Sequence, residues 1–102
     1  LVSLRIFEDD AQNMNLSVND VKGDLLLVSQ FTLQASTKKG NRPSFINAAR
    51  PEIAEPMFSE FVMRVSIQTA GNVSTGQFGA MMQVGLVNSG PVTIVIDSKN
   101  RT

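Results

Sequence analysis

Two short polar motifs interrupt apolar stretches, and they are the places where chemistry would sit. The first is Ser29-Gln30-Phe31-Thr32, which follows the apolar run of residues 25–28. Two hydroxyls and a primary amide at the end of a buried strand need hydrogen-bond partners. Those partners are either substrate groups or main-chain groups at the strand end, the commoner arrangement. The second motif is Asn88-Ser89-Gly90-Pro91. Glycine permits positive φ, and proline donates no main-chain hydrogen bond. A cis Gly–Pro bond costs only about 0.5–1 kcal/mol over trans. It would turn two carbonyl oxygens to the same side as a rigid acceptor pair. An ordinary hairpin turn fits the same residues.

What is missing narrows the chemistry. The chain has no Cys and no His. There is therefore no thiolate nucleophile, no disulfide framework and no cysteine zinc site. The commonest general base is also absent, and with it every Ser-His-Asp arrangement within one chain. Bond cleavage would have to rely on hydroxyls, main-chain N–H groups, carboxylates or the substrate itself. Glu8, Asp9 and Asp10 are adjacent carboxylates without the spaced ligands of a calcium loop, so they read as a solvated turn and no metal is expected. Formal net charge is zero, yet no acidic residue lies between Asp24 and Glu52, an interval that holds Lys38, Lys39, Arg42 and Arg50. Such a segment can bind phosphate on a neutral protein; on charge alone a solvated basic loop is the commoner explanation.

The elements that must position these motifs follow from punctuation and period. Residues 19–24 read as a turn, and residues 25–33 as a buried strand. Residues 34–50 form a polar, Gly- and Pro-punctuated connection. The clearest helix spans 51–67, where Ile53, Met57, Phe58, Phe61, Val62 and Val65 recur as one core-facing stripe. Pro56 forfeits a hydrogen bond there, so regular helix is expected only from around Pro56, with Gly71 as the stop. Residues 82–87 and 92–96 read as two further strands joined at 88–91. The order is α+β in class.

At 102 residues, one domain is expected, burying roughly 60–65% of its unfolded surface. No apolar run approaches the roughly 20 residues of a membrane helix, and no membrane partner is expected. The absence of Cys fits a reducing compartment.

The segments SQFTL (29–33) and NSGPVTI (88–94) resemble the two signatures of the D-aminoacyl-tRNA deacylases. KKGNRPSF (38–45), EIAEPMFSEFV (52–62) and FGAMMQVGLVN (78–88) lie between them in the family's order and spacing. The resemblance covers essentially the whole chain and departs from the family pattern at Met81, Gly85 and Ser89. It implies a mixed, largely antiparallel, barrel-like sheet with one main amphipathic helix. It implies a cytoplasmic homodimer without cofactor, whose active site lies at the subunit interface. The implied reaction is hydrolysis of the ester joining a D-amino acid, or glycine, to the 3′ adenosine of tRNA, a proofreading step in translation.

Residue by residue, Ser29, Gln30, Phe31 and Thr32 match the segment lining the reacting ester. Gly90 and Pro91 match a cis pair that reaches into the partner's site and selects chirality. Phe78 and Met82 match the adenine-holding positions. Lys38, Lys39 and Arg42 would meet tRNA phosphates. Leu1 falls inside the apolar stretch LVSLRIF, which suggests a single domain, 1–102, lacking the N-terminal strands and helix of the family. Two other readings stay open: a related deacylase with a trans Gly–Pro bond acting on L-alanyl-mischarged tRNA, and a non-catalytic dimeric RNA- or protein-binding module.

Overall fold

One helix bridging two parallel strands organises the molecule. The computed structural model describes residues 1–90 and 92–102. The chain opens with a short antiparallel hairpin, β1 (Phe7–Glu8) and β2 (Met14–Leu16). Then come β3 (Leu25–Leu27), a 3-10 turn (Phe31–Leu33), α1 (Pro51–Gln68) and β4 (Val73–Thr75). β3 and β4 pair in parallel, with Leu25 opposite Val73, Leu26 opposite Ser74 and Leu27 opposite Thr75. Parallel neighbours need a crossover connection, and α1 supplies it.

The core lies between this pair and the helix. Val2, Val18, Leu27 and Val65 are buried, with Leu25, Phe58, Val62 and Val73 packed against them. The α+β class with one main helix therefore holds. The expected barrel-like sheet does not: among the described residues the strands form two separate two-stranded sheets, one antiparallel and one parallel.

The helix starts at Pro51, earlier than Pro56 suggests. Pro51 occupies the first turn, where its missing N–H costs nothing, and the N–H groups of Ile53 and Ala54 bond to the Arg50 carbonyl. Pro56 then forfeits a single bond inside an otherwise continuous ladder. The apolar stripe is split. Phe58, Val62 and Val65 face the strands, while Ile53, Met57 and Phe61 stay exposed. Helix α1 ends at Gln68, before Gly71, because the turn of residues 19–24 caps its end. Asn19 Nδ2 donates to the Gln68 carbonyl (2.8 Å), and Asn19 Oδ1 accepts from Ala70 N–H (2.9 Å).

The turn expected at Glu8, Asp9 and Asp10 is the bend of the β1–β2 hairpin, organised by Asp9. Its carboxylate accepts from Ala11 N–H, Asn13 N–H and Asn15 Nδ2 at 2.9–3.0 Å. That carboxylate is committed to its own loop, and among the described residues no cluster of acidic groups could hold a metal.

The segments 82–87 and 92–96, expected as strands, carry no ladder among the described residues. In 92–96 the alternation persists as exposure: Val92, Ile94 and Ile96 are 42–55% exposed, against 91% for Val95. The period-2 pattern is present there, but among the described residues no neighbouring strand pairs its N–H and C=O groups. The radius of gyration, 16.0 Å, accordingly exceeds the roughly 13 Å of a compact domain of this length.

Candidate active site

Because β3 and β4 are parallel, their C-terminal ends lie side by side. β3 leaves through Ser29-Gln30-Phe31-Thr32, and β4 leaves through Gly76-Gln77-Phe78. The last rung of the pair is the Gly76 N–H donating to the Leu27 carbonyl at 3.2 Å. Two segments more than forty positions apart in sequence thus emerge at one edge.

The first segment does not continue β3 as a strand. It turns at residue 31 into the 3-10 turn, closed by Leu33 N–H to the Gln30 carbonyl and Gln34 N–H to the Phe31 carbonyl. The opening N–H groups of a helical turn have no acceptor within it, and the Gln30 side chain caps none of them. That leaves the Phe31 and Thr32 N–H groups as main-chain donors at the strand exit. Gln30 instead donates its side-chain amide to the Thr32 hydroxyl oxygen. An amide takes no proton at neutral pH, so this contact orients the hydroxyl without activating it. Ser29 and Thr32 are half-buried, and Gln30 and Phe31 are exposed.

The second segment borders an aromatic cleft of about 230 Å³ lined by Phe58, Ser59, Val62, Thr75, Gly76 and Phe78. The Phe58 and Phe78 rings stand 6.3 Å apart, tilted by 45°. Met82 reaches this edge from the following loop, and its Sδ accepts the Gln77 N–H at 3.4 Å. The cleft is smaller than a typical drug-sized pocket, and the Phe58 and Phe78 rings that border it pack against each other as an aromatic pair.

The basic residues are tied to the same edge. Ser36 and Ser44 exchange a pair of main-chain hydrogen bonds (2.8 and 2.9 Å) that pinch off the loop carrying Lys38, Lys39 and Arg42, all exposed. Phe45, beside the pinch, meets the Phe31 ring edge-on at 5.6 Å. Phe45 and Phe58 are the contributors that sequence reading passes over. Phe58 reads as core because its spacing is helical, and Phe45 carries no periodic signal at all.

Gly90 is exposed with φ +142°, a region open chiefly to glycine. A Cβ there would meet only Val92 within 4 Å, so within this chain nothing from residues 29–32 lies against it. Pro91, and with it the geometry of the Gly90–Pro91 bond, lies outside the described residues.

Residues 1–97 match the family model described as D-Tyr-tRNA(Tyr) deacylase. A "D-aminoacyl-tRNA deacylase" of Flavobacterium psychrophilum is 57% identical over 101 residues, covering 99% of this chain and 67% of that protein. One of Cytophaga hutchinsonii is 59% identical over the same span and coverage. Among solved structures, the "c-Myc DNA Unwinding Element Binding Protein" superposes with a TM-score of 0.85 at 40% identity, covering 95% of this chain and 66% of that one.

Proposed function

The chain belongs to the D-Tyr-tRNA(Tyr) deacylase family, and from that premise we propose that it hydrolyses the ester between a D-amino acid, or glycine, and the 3′ adenosine of tRNA. The reaction is a proofreading step that returns free D-amino acid and deacylated tRNA. One observation carries the reading at the level of residues. The parallel β3–β4 register brings the 29–32 segment and the Phe58–Phe78 cleft out at one edge. An ester and its adenine are joined through a single ribose, so their sites must be neighbours.

Phe78 and Met82 hold the adenine, and Phe58 backs the Phe78 ring. The ester carbonyl faces the Phe31 and Thr32 N–H groups. Water attacks the carbonyl carbon, and these donors stabilise the oxyanion, each worth about 3–4 kcal/mol in a preorganised site. The ribose 2′-hydroxyl relays the water's proton to the departing 3′ oxygen as the ester C–O bond breaks. The Thr32 hydroxyl is not the nucleophile in this scheme, because its partner is an amide and no base. Lys38, Lys39 and Arg42 meet acceptor-end phosphates.

The Gly90 and Pro91 carbonyls form the chiral filter. They act in the partner's site within a homodimer, where they receive the substrate's amino group and leave no room for an L side chain. Support for the dimer comes from Gly90 standing apart from residues 29–32 of its own chain and from the exposed apolar side chains of Ile53, Met57 and Phe61. No helix among the described residues is long and apolar enough to cross a membrane, and we place the activity in the cytoplasm, where its tRNA substrate is found.

The test is hydrolysis of paired D- and L-aminoacyl-tRNAs, with oligomeric state measured by ultracentrifugation. Release of the D-amino acid alone, from a dimer, is expected. Preferential release of L-alanine would assign the chain to the trans Gly–Pro activity, and binding without turnover would make it a non-catalytic module.

A further inference from the structure

We propose that Gly76 is a positioning residue for Met82: by having no side chain, it leaves the hollow that seats the Met82 thioether at the edge of the aromatic cleft. The inference rests on the reading of Phe78 and Met82 as the adenine-holding pair. A Cβ at position 76 would come within 2.9 Å of Met82 Sδ, 3.2 Å of its Cε and 3.7 Å of Val28 Cγ1. The neighbouring Gln77 N–H donates to the same sulfur at 3.4 Å. The sulfur is therefore held between the main chain of residue 76 and the N–H of residue 77. Both lie where the Gly76 N–H closes the β3–β4 ladder.

Gly76 is not among the positive-φ glycines. Glycine is needed there for space and not for backbone conformation. The atoms a methyl group would strike belong to the far end of an unbranched, flexible side chain. The side chain can swing away cheaply, so Gly76→Ala spares the strand and moves only the thioether. Sulfur–aromatic contacts are short-ranged and sensitive to placement, which makes a displaced Met82 a poorer neighbour for a heterocycle in the cleft.

The test compares Gly76→Ala, Met82→Ala and the double variant by kcat and KM on D-aminoacyl-tRNA. The Met82 methyl resonance and adenosine titrations are followed by NMR, together with Tm. Expected for Gly76→Ala are a near-parental Tm, a shifted Met82 methyl resonance, a KM raised about three- to tenfold and an unchanged kcat, the size of one sulfur–aromatic contact. In the Met82→Ala background, Gly76→Ala should add nothing, because both changes remove the same contact.

Multiplicative effects in the double variant, or an unmoved methyl resonance, would overturn the role of Gly76 while leaving the adenine site standing. A parental KM and adenosine affinity for Met82→Ala would instead remove the adenine reading, and this inference with it. Should Gly76→Ala fail to fold, the double variant decides. Recovery of its fold supports the contact with Met82, and continued failure refutes it.

Discussion

Replacing Gly71 with alanine tests whether the turn of residues 19–24 and the α1–β4 connection are truly locked together. A Cβ at position 71 would lie 2.1 Å from the Gly23 carbonyl oxygen, 2.8 Å from its carbon and 2.9 Å from Asp24 Oδ1. Unlike the neighbours of Gly76, the closest of these atoms are main chain and cannot rotate away. Three hydrogen bonds fix the turn and the connection: Leu25 N–H to the Asn72 carbonyl at 2.8 Å, Asn72 N–H to Asp24 Oδ1 at 2.8 Å, and Gly23 N–H to the Val18 carbonyl at 2.9 Å. Overpacking costs about 1–3 kcal/mol, and each hydrogen bond lost to the shift costs about 1 kcal/mol more. Gly71→Ala should therefore destabilise by about 2–4 kcal/mol, or roughly 10–25 °C in Tm for a chain of this size. Urea unfolding followed by circular dichroism reads this as a lower midpoint with an unchanged m-value. A loss below about 0.5 kcal/mol, within the ordinary range of surface substitutions, would refute the claimed interlock. It would also undercut the placement of β4 against β3.

Three further outcomes are expected. Thr32→Ala should keep most of the hydrolytic rate, whereas a substrate whose terminal ribose lacks the 2′-hydroxyl should be nearly inert; equal loss in both assays would restore Thr32 as nucleophile. Charge reversal at Lys38, Lys39 and Arg42 should weaken tRNA binding and flatten the log–log salt dependence by about 0.7–0.9 per lost phosphate contact, and an unchanged slope would leave only a solvated loop. The Asp20 carboxylate is held below the ordinary 3.8, first by the Ser17 N–H and then by the Ser17 hydroxyl and the Arg5 charge. A depressed carboxyl stabilises the fold above its unfolded value and loses that contribution as pH falls through the lower folded one. The urea midpoint should accordingly drop below about pH 4, by less in Asp20→Asn, and identical acid profiles for the two proteins would exclude the link.

Residue order alone fixes a good deal here. The helix is legible because Phe58, Val62 and Val65 recur at a spacing that holds in any α-helix, and Pro51 fits only its first turn. The turn of residues 19–24 is legible from its polar residues and Gly23. The family is legible from motifs whose side chains and order are properties of the chain itself. What the chain cannot announce locally is pairing. β4 is only Val73–Thr75, too short and too polar to show a period, and it exists because β3 lies beside it. Residues 92–96 carry a clear alternation, yet form no strand, because a ladder needs a second row of donors and acceptors.

The candidate site divides in the same way. Ser29, Gln30, Phe31, Thr32, Phe78 and Met82 can be picked out one by one from the sequence. That the first four share an edge with the last two follows only from two strands running in the same direction. Phe58 and Phe45 join the site through distances to residues well separated in the chain, and Gly76 through its fit against Met82. Local preference acts through neighbouring peptide units, whereas a cleft is made by surfaces that meet only after the helix has folded back over the strands.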